Sequence, residues 1–287
     1  MAMQNTAASP VIRYYGWSAL SIDSPAGSLF FDPFFRPYCG AQWFGLEDFA
    51  QAKVVCATHG HEEHFLDIPS VAARSGADVV GTPAICNFLR FRRGMAREKL
   101  HPVEPFSPIE VCGFRITTFN WQHRDINLWK ALTKAVFQGN ATQLSWAWSS
   151  ATNAPFYSAY TGFHVELPGG LTVLNYNEGF NTKMTDAEIQ DVGRRFRTDV
   201  LLAGMQLDFT EDVARGAAAL DPKVVILYPP HDHFHRMMGA VSRPWPEFKA
   251  AVERRLPKAK VIIAEPGHSI DAVSGQVLTP ARTLLAA

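Results

Sequence analysis

Residues 52–64 read AKVVCATHGHEEH, and the two halves of this stretch decide the fold. The first half is an apolar, β-branched run of the kind that forms a strand buried on both faces. The second half places His59, His61 and His64 within six residues, with Glu62 and Glu63 between them, on the loop that must follow the strand. Imidazoles at i and i+2 can aim at one ion, while Glu63 and His64 turn toward a second ion a few Å away. The competing reading is a solvated loop with chance histidines.

Working outward, VIRYYGWSALSID (11–23) and SLFFDPFF (28–35) flank the turn formers Ser24, Pro25, Ala26 and Gly27, so the chain opens as a β-meander. Further strands are predicted at residues 78–80, 109–119, 162–167, 171–176, 200–203, 224–228 and 261–264. The clearest helix starts at Thr185, where Thr185 and Glu188 form a capping box and Ile189, Val192 and Phe196 share one face. Helices are also expected at 83–93, with Pro83 in the first turn and Gly94 as C-cap, and at 210–220 and 244–256. Strands come first and then alternate with helices. The economical architecture is a flexible tail over residues 1–9 and a single α/β domain over 10–287, with helices packed on sheets.

Composition narrows the function. The 287 residues carry 27 basic and 27 acidic side chains, a formal net charge of zero. That balance argues against nucleic acid or an anionic membrane as partner. With 47% hydrophobic and only 19% charged residues, the chain can fill a sizeable core. No apolar run reaches about 18 residues, so no integral membrane association is expected. The N-terminal MAMQNTAASP lacks a basic and an apolar region, and the four cysteines form no CxxC pair. Cys56 and Cys112 read as small hydrophobes in apolar strands. A cytoplasmic protein acting on a small molecule is the expectation.

THGHEEH at 58–64 resembles the HxHxDH motif of the metallo-β-lactamase superfamily. The resemblance continues in FFDPFF around Asp32, similar to the strand-end "DP" of that family, and in GWS at 16–18, similar to the "GHS" of its lactonase-like branch. It extends through WQHRD, LTVLNYNEGF and YPPH, and so covers residues from about 11 to 268. It implies a four-layer αββα sandwich carrying two divalent metal ions, zinc first, with iron or manganese as alternatives. It also implies His59, His61 and His123 on one ion, Glu63, His64 and His231 on the other, and Glu178 bridging. Two ions about 3.5 to 4 Å apart hold a shared hydroxide at neutral pH and polarise a carbonyl or phosphoryl oxygen, so hydrolysis needs no protein nucleophile. Glu63 and Glu178 depart from the family pattern, where both are aspartate. Each carboxylate gains a methylene, so either the backbone recedes or the metal spacing changes. Trp17 replaces a histidine of the branch.

Beside these ligands, Asp32 is expected to hold the tautomer of a ligand histidine, and Asn177 is a fallback ligand through its amide oxygen. His233 and His235 follow His231 at steps of two. His231 is preferred as ligand, and His233 is the candidate general acid on the substrate side. Chemistry beyond the fold is thus assigned to Glu63, His233 and Arg124. His101, His164 and His268 read as structural or surface residues. The run QHRDINLW is similar to an "HxxxR…LW" run in the N-acylphosphatidylethanolamine phospholipase D type of the superfamily. Arg124 there either holds a phosphate or carboxylate or pairs with Asp125 or another acid.

Residues 127–160 form an aromatic-rich insertion that includes Trp129, Trp146, Trp148 and Tyr160. Two readings stay open: a lid giving an apolar pocket for an amphipathic substrate, or packing as core or as the interface of a homo-oligomer. The leading function is a metal-dependent hydrolase acting on an ester, lactone or phosphodiester. The alternatives are an iron-dependent oxidoreductase on the same fold and a non-catalytic ligand-binding descendant with an impaired second metal site.

Overall fold

In the computed structural model, residues 9–38, 40–124, 141–237 and 240–285 are described. The chain begins with a first sheet built from β1 (Val11–Gly16), β2 (Ala19–Ser24), β3 (Gly27–Phe31), β4 (Ala52–Cys56), β5 (Asp78–Gly81) and β6 (Leu100–Pro102). A second sheet follows from β7 (Ile109–Val111), β8 (Phe114–Asn120), β9 (Thr161–Glu166), β10 (Thr172–Asn177), β11 (Val200–Gly204), β12 (Val224–Tyr228) and β13 (Lys260–Ile263). The chain then returns to the first sheet with β14 (Ser269–Asp271) and β15 (Val277–Thr279). The orders are β15-β14-β1-β2-β3-β4-β5-β6 and β13-β12-β11-β10-β9-β8-β7. Each sheet is antiparallel where hairpins connect it and parallel where helices intervene, at β3 to β6 and at β10 to β13.

The helices are α1 (Glu62–Phe65), α2 (Ile68–Ser75), α3 (Pro83–Arg93), α4 (Ala141–Asn153), α5 (Asp186–Arg195), α6 (Thr210–Leu220), α7 (Asp232–Met237) and α8 (Trp245–Arg255). Side-chain alternation explains the layering. In β4, Val54 and Cys56 point between the sheets, where they meet Phe114, Phe163, Val200 and Ile226. Val55 and Ala57 point outward, against Ile68 and Val71 of α2 and Ile85 and Leu89 of α3. The second sheet repeats the pattern, with Leu201 and Val225 packed outward on Val192, Val213 and Phe248 of α5, α6 and α8. Each such fully buried side chain contributes about 1.5–3 kcal/mol. The result is the expected four-layer αββα sandwich of two mixed sheets.

The α5 cap forms as read, with Thr185 Oγ1 accepting from Glu188 N at 3.3 Å and Glu188 Oε2 accepting from Thr185 N at 2.8 Å. Gly94 closes α3 in the left-handed region, with φ 69°. Residues 109–119 are not one strand but the hairpin β7–β8. The chain turns at Cys112 and Gly113, both at positive φ, so Cys112 is exposed and is not a core residue. Strands β6, β14 and β15 escaped the sequence because three residues carry no period. Among the described residues, no helix is long and apolar enough to cross a membrane.

Candidate metal centre

The site is assembled at the C-terminal ends of strands from both sheets. The loop after β4 carries His59 and His61 and runs into α1, which carries Glu63 and His64. His123 follows β8, Glu178 follows β10, and His231 lies between β12 and α7. The fold gathers these residues into two groups. One ligand-type atom from each of His59, His61 and His123 lies within 4.8 Å of the others, and the same holds for Glu63, His64 and His231.

Glu178 joins the groups. Its Oε1 lies 3.1 Å from His64 Nε2 and contacts His231 Nε2, and its Oε2 lies 3.6 Å from His123 Nε2. Burial would raise the pKa of this carboxyl, but the imidazoles of His231, His123 and His64 hold it well below the usual carboxylate range. His64 shows the converse. Burial opposes its charge, yet Asp32 and Glu178 lift its pKa to about 10. Burial keeps His59 well below its usual value and brings His61 down to about 4, so both rings are neutral with a free lone pair at neutral pH.

A buried polar network orients these rings. Asp32 Oδ2 accepts from His64 Nδ1 at 2.7 Å, from Thr58 Oγ1 at 2.5 Å and from Asn177 Nδ2 at 3.2 Å, while Oδ1 accepts from Thr58 N at 2.8 Å. Thr58 Oγ1, its proton given to Asp32, accepts from His59 Nδ1 at 3.0 Å. His123 Nδ1 donates to the Arg124 carbonyl at 2.7 Å. His59, His64 and His123 each donate outward through Nδ1, which turns Nε2 inward; His59 offers a lone pair there, and the inward proton of His64, shared with Glu178, is the one a cation would displace. Asn177 therefore spends its amide on Asp32 and Thr58 and is not a spare ligand. Its own oxygen accepts from the Tyr228 hydroxyl at 3.3 Å.

The backbone is strained where this network is anchored. Trp17, Asp32 and Asn177 adopt φ of 51°, 42° and 51°, a region costing non-glycine residues roughly 1–3 kcal/mol each. Such strain collects at functional sites, where surrounding contacts over-determine it.

The donor atoms fit cations. His59 Nε2 and His61 Nδ1 face one another at 3.0 Å. Glu63 Oε2 and His231 Nδ1 are buried and, among the described residues, without a hydrogen-bond partner. Orphaned buried polar atoms of this kind are costly and ask for a partner. An imidazole and carboxylate set without thiolate suits zinc, iron or manganese.

The remaining candidates lie around this centre. His233 belongs to neither group, and its ring packs between Trp17 and Trp43, with centroids at 6.3 and 5.2 Å. His235 is likewise outside both groups, and Arg124 contacts Gln206 and His235. His101 pairs with Asp78 at 2.8 Å, His164 donates to the Arg197 carbonyl at 2.9 Å, and His268 accepts from Glu265 N at 3.1 Å. Trp129 and Asp125, and the side chain of Trp146, lie outside the described residues. Trp148 is 74% exposed and Tyr157 67%, so neither is core.

Sequence reasoning missed the role of Tyr160. Its ring covers the first group, with centroids 5.1 Å from His59, 5.7 Å from His61 and 4.7 Å from His123. Its segment is seated on the His loop, because a Cβ at Gly60 would lie 2.0 Å from the Pro155 oxygen and Thr161 N donates to Thr58 O at 2.9 Å. The glycine inside HGH was the signal for that close approach.

No family model matches the chain. It is similar to a UPF0173 metal-dependent hydrolase of Desulfitobacterium hafniense, 24% identical over 266 residues, covering 90% of the chain and 97% of that relative. A UPF0173 metal-dependent hydrolase of Methanosphaera stadtmanae is 37% identical over 87 residues, which span 29% of the chain and 35% of that relative. Among solved structures, Igni18, described as a metallo hydrolase from Ignicoccus hospitalis, superposes with a TM-score of 0.65 at 20% identity, covering 92% of the chain and 98% of that protein. The metallo-β-lactamase fold protein YhfI of Bacillus subtilis gives 0.57 at 12% identity, with 91% and 99% covered. With its two mixed sheets and outer helices the chain has the metallo-β-lactamase fold, and along nearly its whole length its sequence is similar to that of a UPF0173 metal-dependent hydrolase.

Proposed function

We propose that the protein is a metal-dependent hydrolase with a binuclear centre, acting on an ester, lactone or phosphodiester of a small molecule. His59, His61 and His123 would hold one divalent ion and Glu63, His64 and His231 the second, with Glu178 in reach of both groups. The observation that carries this reading is the pair of three-residue donor groups reached by the two oxygens of one buried carboxylate. When bound, the ions supply Lewis-acid polarisation of the scissile group and lower the pKa of water.

The chain's own residues supply orientation and access. Asp32, Thr58 and Asn177 fix the rings of His64 and His59, so their Nε2 atoms converge without rearrangement. His61 is partly exposed while His59 and His64 are fully buried, so a substrate approaches from the His61 and Tyr160 side. Tyr160 excludes water from the first group and offers an aromatic wall to an apolar substituent.

The test is elemental analysis of protein purified without added metal, followed by turnover of a panel of lactones, phosphodiesters and thioesters. Two ions per chain with turnover support the reading. Fewer than one ion per chain after metal loading overturns it. The orphaned Glu63 and His231 atoms favour a retained second site over a ligand-binding descendant that has lost it. The mixed imidazole and carboxylate donor set also suits an iron oxidoreductase, which iron content with a redox-active spectrum would identify.

A further inference from the structure

Arg124 lies beside both groups of donors and belongs to neither. Its carbonyl accepts from His123 Nδ1. Its side chain turns toward α7, where Nε donates to Gln206 Oε1 at 3.0 Å and an Nη to His235 Nε2 at 3.3 Å. His235 sits one helical turn beyond His231, its amide donating to the His231 carbonyl at 2.8 Å. Gln206 and His235 are buried, while Arg124 is partly exposed.

The chemistry of these two contacts leaves the charge of Arg124 uncancelled. Because the guanidinium donates to His235 Nε2, that nitrogen carries the lone pair, and the opposite N–H is left for Ser242 Oγ at 3.3 Å. Gln206 presents its carbonyl oxygen. Among the described residues, the guanidinium is therefore held by two uncharged, buried side chains that use two of its five N–H groups and cancel none of its charge. Elsewhere Arg74, Arg195 and Arg215 lie on carboxylates. Two buried polar side chains committed to aiming a cation at the rim of a metal-type site, with a donor edge to spare, form a receptor for an oxyanion.

Building on the hydrolase reading, we infer that Arg124 recognises an oxyanion, a carboxylate or a phosphate, carried by the substrate near its scissile bond, and that Gln206 and His235 are positioning residues that aim it. This makes the substrate an anionic ester or lactone and not a neutral one.

The test compares two esters with the same leaving group, mono-4-nitrophenyl glutarate and 4-nitrophenyl pentanoate, on the metal-loaded protein. The wild type prefers the glutarate. In Arg124→Gln the ratio of kcat/KM, anionic over neutral, falls about 10- to 100-fold, mostly through KM for the glutarate, as expected for loss of a charge-assisted pair. Arg124→Lys keeps the charge without the fork and falls between, and Gln206→Met shifts the same ratio in the same direction. Calorimetric titration with glutarate and with inorganic phosphate gives an arm independent of turnover. Arg124→Gln weakens the binding of at least one of them at equal metal content, and the tighter of the two in the wild type names the oxyanion. Failure of both esters to turn over, with this binding difference intact, counts against the ester hydrolase reading alone. Equal losses for both esters, or unchanged glutarate and phosphate binding, overturn the inference. Loss of metal in both Arg124→Gln and Arg124→Lys also overturns it, since Arg124 would then be a strut for His123.

Discussion

Shortening Glu178 to aspartate tests how the two groups of donors are joined. Glu178 reaches His64 Nε2 at 3.1 Å with one oxygen and His123 Nε2 at 3.6 Å with the other. Removing a methylene withdraws the carboxylate by about 1 to 1.5 Å, given carbon–carbon bonds near 1.5 Å. The backbone has little room to follow. Asn177 is already at φ 51°, and Gly179 N donates to Tyr176 O at 3.0 Å. A Cβ at Gly179 would stand 2.5 Å from the Tyr176 ring and 2.9 Å from Trp121, so this turn is wedged between two aromatic side chains. A donor displaced by an ångström from a bond near 2.1 Å is no longer a ligand. Removing even an outer partner of a metal ligand lowers metal affinity about 10- to 100-fold, roughly 1.4 to 2.8 kcal/mol, and a direct carboxylate should cost at least that. Metal per chain, measured by elemental analysis after equilibration in a series of metal buffers, should show one of two ions in Glu178→Asp needing at least tenfold more free metal, with turnover falling in parallel. Unchanged occupancy with raised turnover would refute the reasoning. The glutamates would then be lengthened aspartates that weaken the native protein.

Replacing His61 by Ala should empty the first group and abolish turnover, whereas His101→Ala, which removes only a contact to Asp78, should do neither; metal content and activity of the two variants decide. Gly60→Ala drives a methyl into the Pro155 carbonyl and should cost about 1–3 kcal/mol, read as a Tm lowered by several degrees, with Tyr160 fluorescence changed. Burial alone would raise the pKa of Asp199, but Lys223, Arg197 and Thr172 pull it down to about 2. Its contribution, on the order of 1 kcal/mol once water screens the exposed Lys223 and Arg197, is complete above pH 3.8 and is lost as pH falls toward 2, so urea unfolding of Asp199→Asn should differ from wild type at pH 7 and converge with it near pH 2.

The legible part of this fold is the part with a period or a cap. Residues 185–196 carried both, and α5 begins at the residue that its capping box marks. The segment 224–228 is apolar throughout because β12 lies between β11 and β13 and is buried along its whole length, and its bounds match the reading. The failures have equally local causes. Cys112 looked apolar because Val111 and Phe114 flank it, but a hairpin turn needs positive φ and exposes whatever stands there. Helix α2 follows the metal-type loop so closely that histidines and acids masked its apolar face, Ile68, Val71 and Ala72.

The same distinction separates the readable from the unreadable half of the centre. Ring donors come from short, dense motifs, so HGHEEH, WQHRD and YPPH could each be found alone. Of the residues that orient them, Asp32 is legible through its strand-end Asp-Pro, but its partners are not: Thr58 is 26 residues from Asp32, Asn177 is 145 from it, and Arg124 is 111 from His235. Their meaning lies in the pairing of the two sheets. Each group of donors takes two residues from the first sheet's side, on the loop after β4 or on the helix α1 that it runs into, and one from a strand end in the second, His123 in one case and His231 in the other. Neither sheet alone holds a complete set. The geometry of both groups therefore depends on the core between the sheets, where Phe31 packs on Phe163 with centroids at 5.8 Å and Tyr14 on Tyr228 at 5.5 Å. Tyr228 also donates to Asn177, which holds Asp32, which fixes His64. Through that chain of contacts, packing between the sheets sets the angle of a buried imidazole, and a substitution in the core can act on the centre without touching any of its donors.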